Sequence, residues 1–151
     1  MQEVFLLEDL LNVLIELETL GNQHYTKMVS LTQNSNLKSL FERLAIEENA
    51  HKEIYSRYLV EKINLVSSTA TQEYKEYMDS LLKNNLSLLK SSGEVEAFDQ
   101  GYALAITLEK ETILFLNEMK QIISEGCYED IEFLLNQERM HLRYLLTYQG
   151  Q

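Results

Sequence analysis

The sequence predicts an all-α fold, a bundle of four long helices, on three observations. Proline is absent and only five glycines occur among 151 residues, so residues that break helices are scarce. Hydrophobic residues make up 45% of the chain and charged residues 25%, a balance typical of a globular domain. Apolar residues recur at spacings of three and four over long stretches, as they do on one face of a helix. A chain of this length fits one domain, residues 1–151.

The first long helix is expected from about Glu3 to Leu31, where the helical spacing of apolar residues is strongest. Its apolar stripe consists of Leu7, Leu11, Leu14, Gly21, Tyr25 and Met28. The polar loop TQNSN at 32–36 follows. Within it Ser35 or Asn36 is expected to cap a second helix over about 37–64.

The middle of the chain has a weaker apolar pattern, with one helical segment at about 72–90 between two serine-rich breaks. Two further long helices are expected at about 95–124 and 128–148. Two helix pairs joined by a long connection have the connectivity of ferritin-like bundles. The predicted fold is therefore a ferritin-like four-helix bundle with a long crossover connection between the second and third long helices.

The charge and the single cysteine argue against several classes of function. Thirteen basic residues against 24 acidic ones give a net charge of −11, which disfavours nucleic acid or an anionic membrane as a partner. Cys127 alone allows neither an intrachain disulfide nor a four-cysteine metal site. Acidic residues interrupt the first apolar stretch, which is thus unlike a signal peptide or a membrane span, and we expect a cytoplasmic protein.

The second and fourth helices each carry a Glu-x-x-His pair inside an apolar stripe, Glu48 with His51 and Glu138 with His141. Residues three apart lie on one face of a helix and can converge on one metal ion. Glu47 is also within reach of His51, but the fourth helix has glutamine at the matching position. The pattern shared by the two helices therefore selects Glu48, and Glu47 is not expected at the centre.

The first and third helices each offer one inward carboxylate. Most neighbours of Glu18 at three, four and seven residues are apolar or aromatic, whereas those of Glu16 are more polar, so Glu18 is expected to point inward. By the same comparison Glu109 is preferred to Glu111, although the neighbours of these two residues differ less in polarity.

The four helices thus repeat one pattern twice, a glutamate on one helix and Glu-x-x-His on the next, by which four-helix bundles hold two metal ions. Buried carboxylates without partners would each cost roughly several kcal/mol, and two divalent cations would neutralise all four. Carboxylates with one imidazole per ion suit iron or manganese, and zinc is compatible with the same ligand types. The expected metal ligands are Glu18, Glu48, His51, Glu109, Glu138 and His141.

Four segments, one in each long helix, carry a resemblance to a known family: LETLGNQHY, LAIEENAH, ALAITLEKETILFL and NQERMHL. They resemble the rubrerythrin branch of the ferritin-like superfamily. The resemblance implies a di-iron site that oxidises Fe(II) while reducing peroxide or dioxygen. The ligand roles that it implies are bridging for Glu48 and Glu138, terminal for Glu18 and Glu109, and one iron each for His51 and His141.

The chain departs from that family at positions that bear on function. Full-length rubrerythrins carry a four-cysteine module that supplies electrons, so with Cys127 alone this chain would need an external electron donor. Ile106 stands where rubrerythrins have a further glutamate, and Leu116 stands where they often have a tyrosine. The alternatives to an oxidoreductase are a protein that binds or sequesters iron or manganese with little turnover, and a structural bundle whose ligand residues bind no metal.

Three further side chains lie near the expected ligands in the sequence. Tyr25 lies two turns from Glu18, and its hydroxyl could bond a ligand carboxylate; Tyr55, one turn beyond His51, is a second candidate. The alternative for both is an ordinary core aromatic. His24, one residue off the stripe, is expected at the surface.

A second copy often covers the open side of a short bundle, so we expect a homodimer.

Overall fold

The computed structural model describes residues 7–61, 72–121 and 128–148, and within these ranges the chain forms helices and no strand. The α-helices are α1 (Leu7–Leu31), α2 (Ser35–Glu61), α3 (Gln72–Lys90), α4 (Phe98–Lys120) and α5 (Tyr128–Tyr148). A 3₁₀ helix at Ser91–Glu94 joins α3 to α4. The predicted all-α class and the helical crossover are confirmed, with α1, α2, α4 and α5 as the long helices.

The bounds of α3 and α5 agree with the expected ones, whereas α2 and α4 begin elsewhere. The side-chain Oδ1 of Asn34 accepts hydrogen bonds from the backbone N–H groups of Asn36 and Leu37, at 2.9 and 3.1 Å. Asn34 therefore caps α2, and the expectation of Ser35 or Asn36 as the cap was wrong. α4 begins at Phe98 rather than near 95, because the backbone of Ala97 is extended.

Some expected helical residues lie outside the described ranges. They are 3–6 before α1, 62–64 after α2 and 122–124 after α4. Cys127 also lies outside the described ranges. None of the helices in the described ranges combines the length and the apolar character needed to cross a bilayer.

The bundle consists of two helix pairs, because α1 packs chiefly against α2 and α4 against α5. Its core has two apolar clusters. One joins the N-terminal parts of α1 and α5 to the C-terminal parts of α2 and α4, and α3 adds Met78 and Leu82 to it. The other joins the remaining halves of the four long helices. In α1, α2 and α5 the expected ligands lie between the residues of the two clusters, and in α4 Glu109 directly follows Leu108 of the first cluster.

Candidate metal centre

The six expected ligand residues are all buried and reach the bundle interior from four helices. Their exposed fractions are 3% for Glu18, 6% for Glu48, 2% for His51, 3% for Glu109, 1% for Glu138 and 0% for His141. Glu16, the alternative in α1, is exposed, and Glu111 in α4 is half-buried. The inward carboxylates are therefore those that the apolar stripes predicted.

The six side chains form two groups in which one ligand atom from each residue lies within 4.8 Å of the others. The His51 group consists of Glu18, Glu48, His51 and Glu138, and the His141 group consists of Glu48, Glu109, Glu138 and His141. Glu48 and Glu138 belong to both groups, as bridging ligands would, while Glu18 and Glu109 each belong to one. The arrangement matches the roles implied by the resemblance, and the roles themselves stay predictions.

The Nδ1 nitrogens of the two histidines face the carboxylates without forming aligned hydrogen bonds. His51 Nδ1 lies 2.9 Å from Glu138 Oε1, and His141 Nδ1 lies 3.2 Å from Glu48 Oε1. Despite these distances, neither Nδ1 atom has a hydrogen-bond partner within the described parts of the chain, and each of the four carboxyls has one oxygen without a partner. Buried polar atoms left unpaired are costly. The unpaired nitrogen and oxygen atoms of these side chains lie close together, as ligand atoms around a pair of cations would. The donor set therefore suits two divalent metal ions.

Burial and mutual contacts shift the pKa values of the acidic and basic groups at the centre. Burial raises the pKa of the Glu18, Glu48 and Glu109 carboxyls well above the ordinary value. Burial opposes ionisation of Glu138 too, but contacts with Glu109 and the two imidazoles outweigh it and lower its pKa. Burial also works against a charged His51, yet the nearby Glu138 raises its pKa, and carboxylates raise that of His141 in the same way. Metal ligands must lose these protons, so metal binding here releases protons.

Two tyrosines approach the centre differently. The hydroxyl of Tyr25, which is buried, donates a hydrogen bond to Glu109 Oε1, so it reaches one of the expected ligand carboxylates on the opposite helix pair. Burial is the main cause of its raised pKa, and Glu109 adds to it, so the hydroxyl keeps its proton. Tyr55 is also buried, but its hydroxyl has no hydrogen-bond partner among the described residues.

Glu47 contributes a contact that the sequence reasoning missed. Its Oε2 accepts a hydrogen bond at 2.5 Å from Nε2 of His141, the ring nitrogen that points away from the other carboxylates. This contact is the main cause of the lowered pKa of the Glu47 carboxyl, which is therefore ionised. A ligating histidine commonly donates its second N–H to a carboxylate in this way. Its only sequence signal was an acid beside Glu48, and spacing along α2 could not reveal a partner on α5.

His24 is buried, with an exposed fraction of 1%, so its expected surface position was wrong. Its Nε2 lies 3.1 Å from the carbonyl oxygen of Gly101. Burial lowers the pKa of the imidazole, which is therefore neutral and donates its N–H to that carbonyl. His24 thus joins α1 to α4 rather than facing solvent.

A cavity of about 30 Å³ lies against the centre, between α1 and α4. Its walls include the carboxyls of Glu18, Glu48, Glu109 and Glu138. Gly21 also lines it, and a Cβ at this position would come within 3.2 Å of Glu48 Oε2. The space is on the scale of one or two water molecules, so only a very small molecule can occupy it.

Comparison with known proteins shows the fold. A crystal structure from Thermotoga maritima, described as a ferritin-like diiron-carboxylate protein, aligns with 100% of this chain and 99% of its own, with a TM-score of 0.72 and 21% identity. The chain therefore has the ferritin-like fold. No family model matches the sequence, and no curated protein matches it.

Proposed function

We propose that this protein binds two iron ions and is a rubrerythrin-like oxidoreductase, oxidising Fe(II) while reducing peroxide or dioxygen. The observation that supports it most is that two groups of potential ligands share Glu48 and Glu138 and keep unpaired lone pairs between them. The ligand types favour iron or manganese, and the structural neighbour, similar in fold, is described as a diiron-carboxylate protein.

Two bound Fe(II) ions would each give up one electron, and together these would reduce peroxide to water or dioxygen to peroxide. The chain's own residues would do the rest. Glu48 and Glu138 would hold two ions side by side, and Glu18, Glu109 and the histidines would complete each site. The small cavity would admit peroxide or dioxygen to the carboxylate face and exclude larger reductants, so electrons for turnover would have to come from a donor docked outside.

The wider assignments belong to the same proposal. We infer a single domain over residues 1–151, active in the cytoplasm as a homodimer and supplied by an external electron donor. Cys127 is the only cysteine among residues 1–151, so these residues cannot form a four-cysteine iron module.

Ile106 favours a second candidate, a protein that binds or sequesters iron or manganese with little turnover. This residue stands one turn before Glu109, where rubrerythrins have a further glutamate linked to a redox-dependent movement of iron. It is buried in an apolar cluster, with an exposed fraction of 8%, so the chain offers no oxygen ligand at that position.

Mixing the anaerobically prepared, Fe(II)-loaded protein with hydrogen peroxide or with dioxygen distinguishes the two candidates. An oxidoreductase oxidises its iron rapidly, and repeated reduction by a chemical donor sustains consumption of the oxidant. A sequestration protein holds two ions per chain without sustained consumption. A chain that takes up no iron contradicts both.

A further inference from the structure

The two groups of ligands differ in the side chains around them. In the His141 group, Glu47 accepts the Nε2–H of His141, and Tyr25 donates its hydroxyl to Glu109. In the His51 group, His51 Nε2 and Glu18 Oε2 have no hydrogen-bond partner within residues 7–61, 72–121 and 128–148. Both supporting contacts therefore fall on the same half of the centre.

One pair of matched positions accounts for the difference between the histidines. Glu47 comes directly before Glu48 in α2, and Gln137 comes directly before Glu138 in α5. Both side chains are half-buried, so the two helices present them at a similar depth. Only Glu47 bears a negative charge and accepts an imidazole N–H from the opposite helix pair, whereas Gln137 is neutral.

A carboxylate on Nε2 prepares the imidazole for metal binding. It fixes the tautomer in which Nε2 carries the proton and Nδ1 keeps its lone pair, and it holds the ring with Nδ1 toward the carboxylates. It also makes Nδ1 a stronger donor. Loss of such a contact typically lowers metal affinity by about 10- to 100-fold. The His141 group is thus oriented before an ion arrives, while the His51 group must become oriented as it binds.

We propose that the two ions bind in order, the first tightly in the His141 group and the second more weakly in the His51 group, with Glu47 as the positioning residue that sets this order. The inference rests on the proposed function, because it assumes that the centre binds two ions. It follows that the ion beside His51 is the exchangeable one.

Anaerobic titration of the metal-free protein with Co(II) tests the order through visible absorption and calorimetry. We expect the wild-type chain to take up two ions in two resolved steps. Glu47→Gln makes α2 and α5 alike at this position and should weaken the first step by about 10- to 100-fold. Gln137→Glu should strengthen the second step. Glu53→Gln, which removes a charge from an exposed site on α2, should leave both steps unchanged.

Crystals prepared with one equivalent of Co(II) locate the first ion, which should give an anomalous peak beside His141. Glu47 is partly exposed, with 29% of its side chain accessible, so the variant should fold, and its circular dichroism spectrum verifies this. Two ions of equal affinity, a first ion beside His51, or an unchanged first step in Glu47→Gln would overturn the inference and leave the proposed function standing. A wild-type chain that takes up no cobalt overturns both.

Discussion

Replacing Glu48 with glutamine tests the shared position between the two ligand groups. Glu48 belongs to both groups and has an exposed fraction of 6%, and burial raises the pKa of its carboxyl well above the ordinary value. Burial therefore favours the protonated Glu48 carboxyl in the metal-free protein. Glutamine has nearly the same size and is also neutral, so the metal-free variant should match the wild-type free energy of unfolding to within about 1 kcal/mol.

The metal-bound proteins should differ far more. An ion present at 100 times its dissociation constant stabilises the native state by about 2.7 kcal/mol, and two such ions by roughly 5 kcal/mol. For a domain of this size about 1 kcal/mol shifts the melting temperature by about 2–4 °C, so saturating metal should raise the wild-type value by roughly 10–20 °C. Glu48→Gln removes a carboxylate from both ions, and we expect the shift to fall to a few degrees.

Thermal melts followed by circular dichroism, with and without Mn(II) or anaerobic Fe(II), measure these shifts. Glu16→Gln removes the same charge at an exposed position and should keep the full metal-induced shift. A wild-type melting temperature that does not respond to either metal would refute the reasoning. So would a Glu48→Gln variant that is stabilised as much as the wild type.

Three further predictions concern pH and two glycines. Burial raises the pKa of three of the four carboxyls above 4.5, so above that pH these groups hold more protons in the metal-free folded protein than in the unfolded chain, and the urea midpoint should fall as pH rises further. Saturating Mn(II) should reverse this trend, and parallel trends with and without the metal would contradict the prediction. Gly21→Ala places a Cβ 3.2 Å from Glu48 Oε2 and should reduce the Mn(II)-induced melting shift with little change in the metal-free protein, whereas an undiminished shift would show that the carboxyl has room to move. Gly101→Ala brings a Cβ against the sulfur of Met28 and should cost about 1–3 kcal/mol in urea unfolding; an unchanged midpoint would mean that α1 and α4 are less closely packed.

The long helices could be predicted because each buries an apolar stripe over many turns, and the segments at 72–90 and 128–148 occur with the expected bounds. The starts of α2 and α4 could not be predicted in the same way. The TQNSN loop contains several side chains able to cap a helix, and Asn34 does so because its Oδ1 reaches two backbone N–H groups. Sequence spacing does not determine which side chain makes that contact.

At the candidate metal centre, the inward faces of the helices could be predicted from the sequence, whereas contacts between different helices could not. Glu18 could be predicted as inward because an acid within an apolar stripe faces the interior, and it is buried while Glu16 is exposed. The contact from Glu47 to His141 could not, because it joins residues on helices that are distant in sequence. His24 was misplaced because α1 packs on α2 and also meets α4 near Gly101, so its buried face is wider than one stripe.

The presence of a two-ion centre is tested most directly by an anomalous difference map collected at the iron edge from crystals grown anaerobically with Fe(II). We predict two peaks roughly 3.5–4 Å apart between Glu48 and Glu138, one beside His51 and the other beside His141. A single peak, peaks only at the surface, or no peak in fully loaded crystals would contradict a centre built from these six residues.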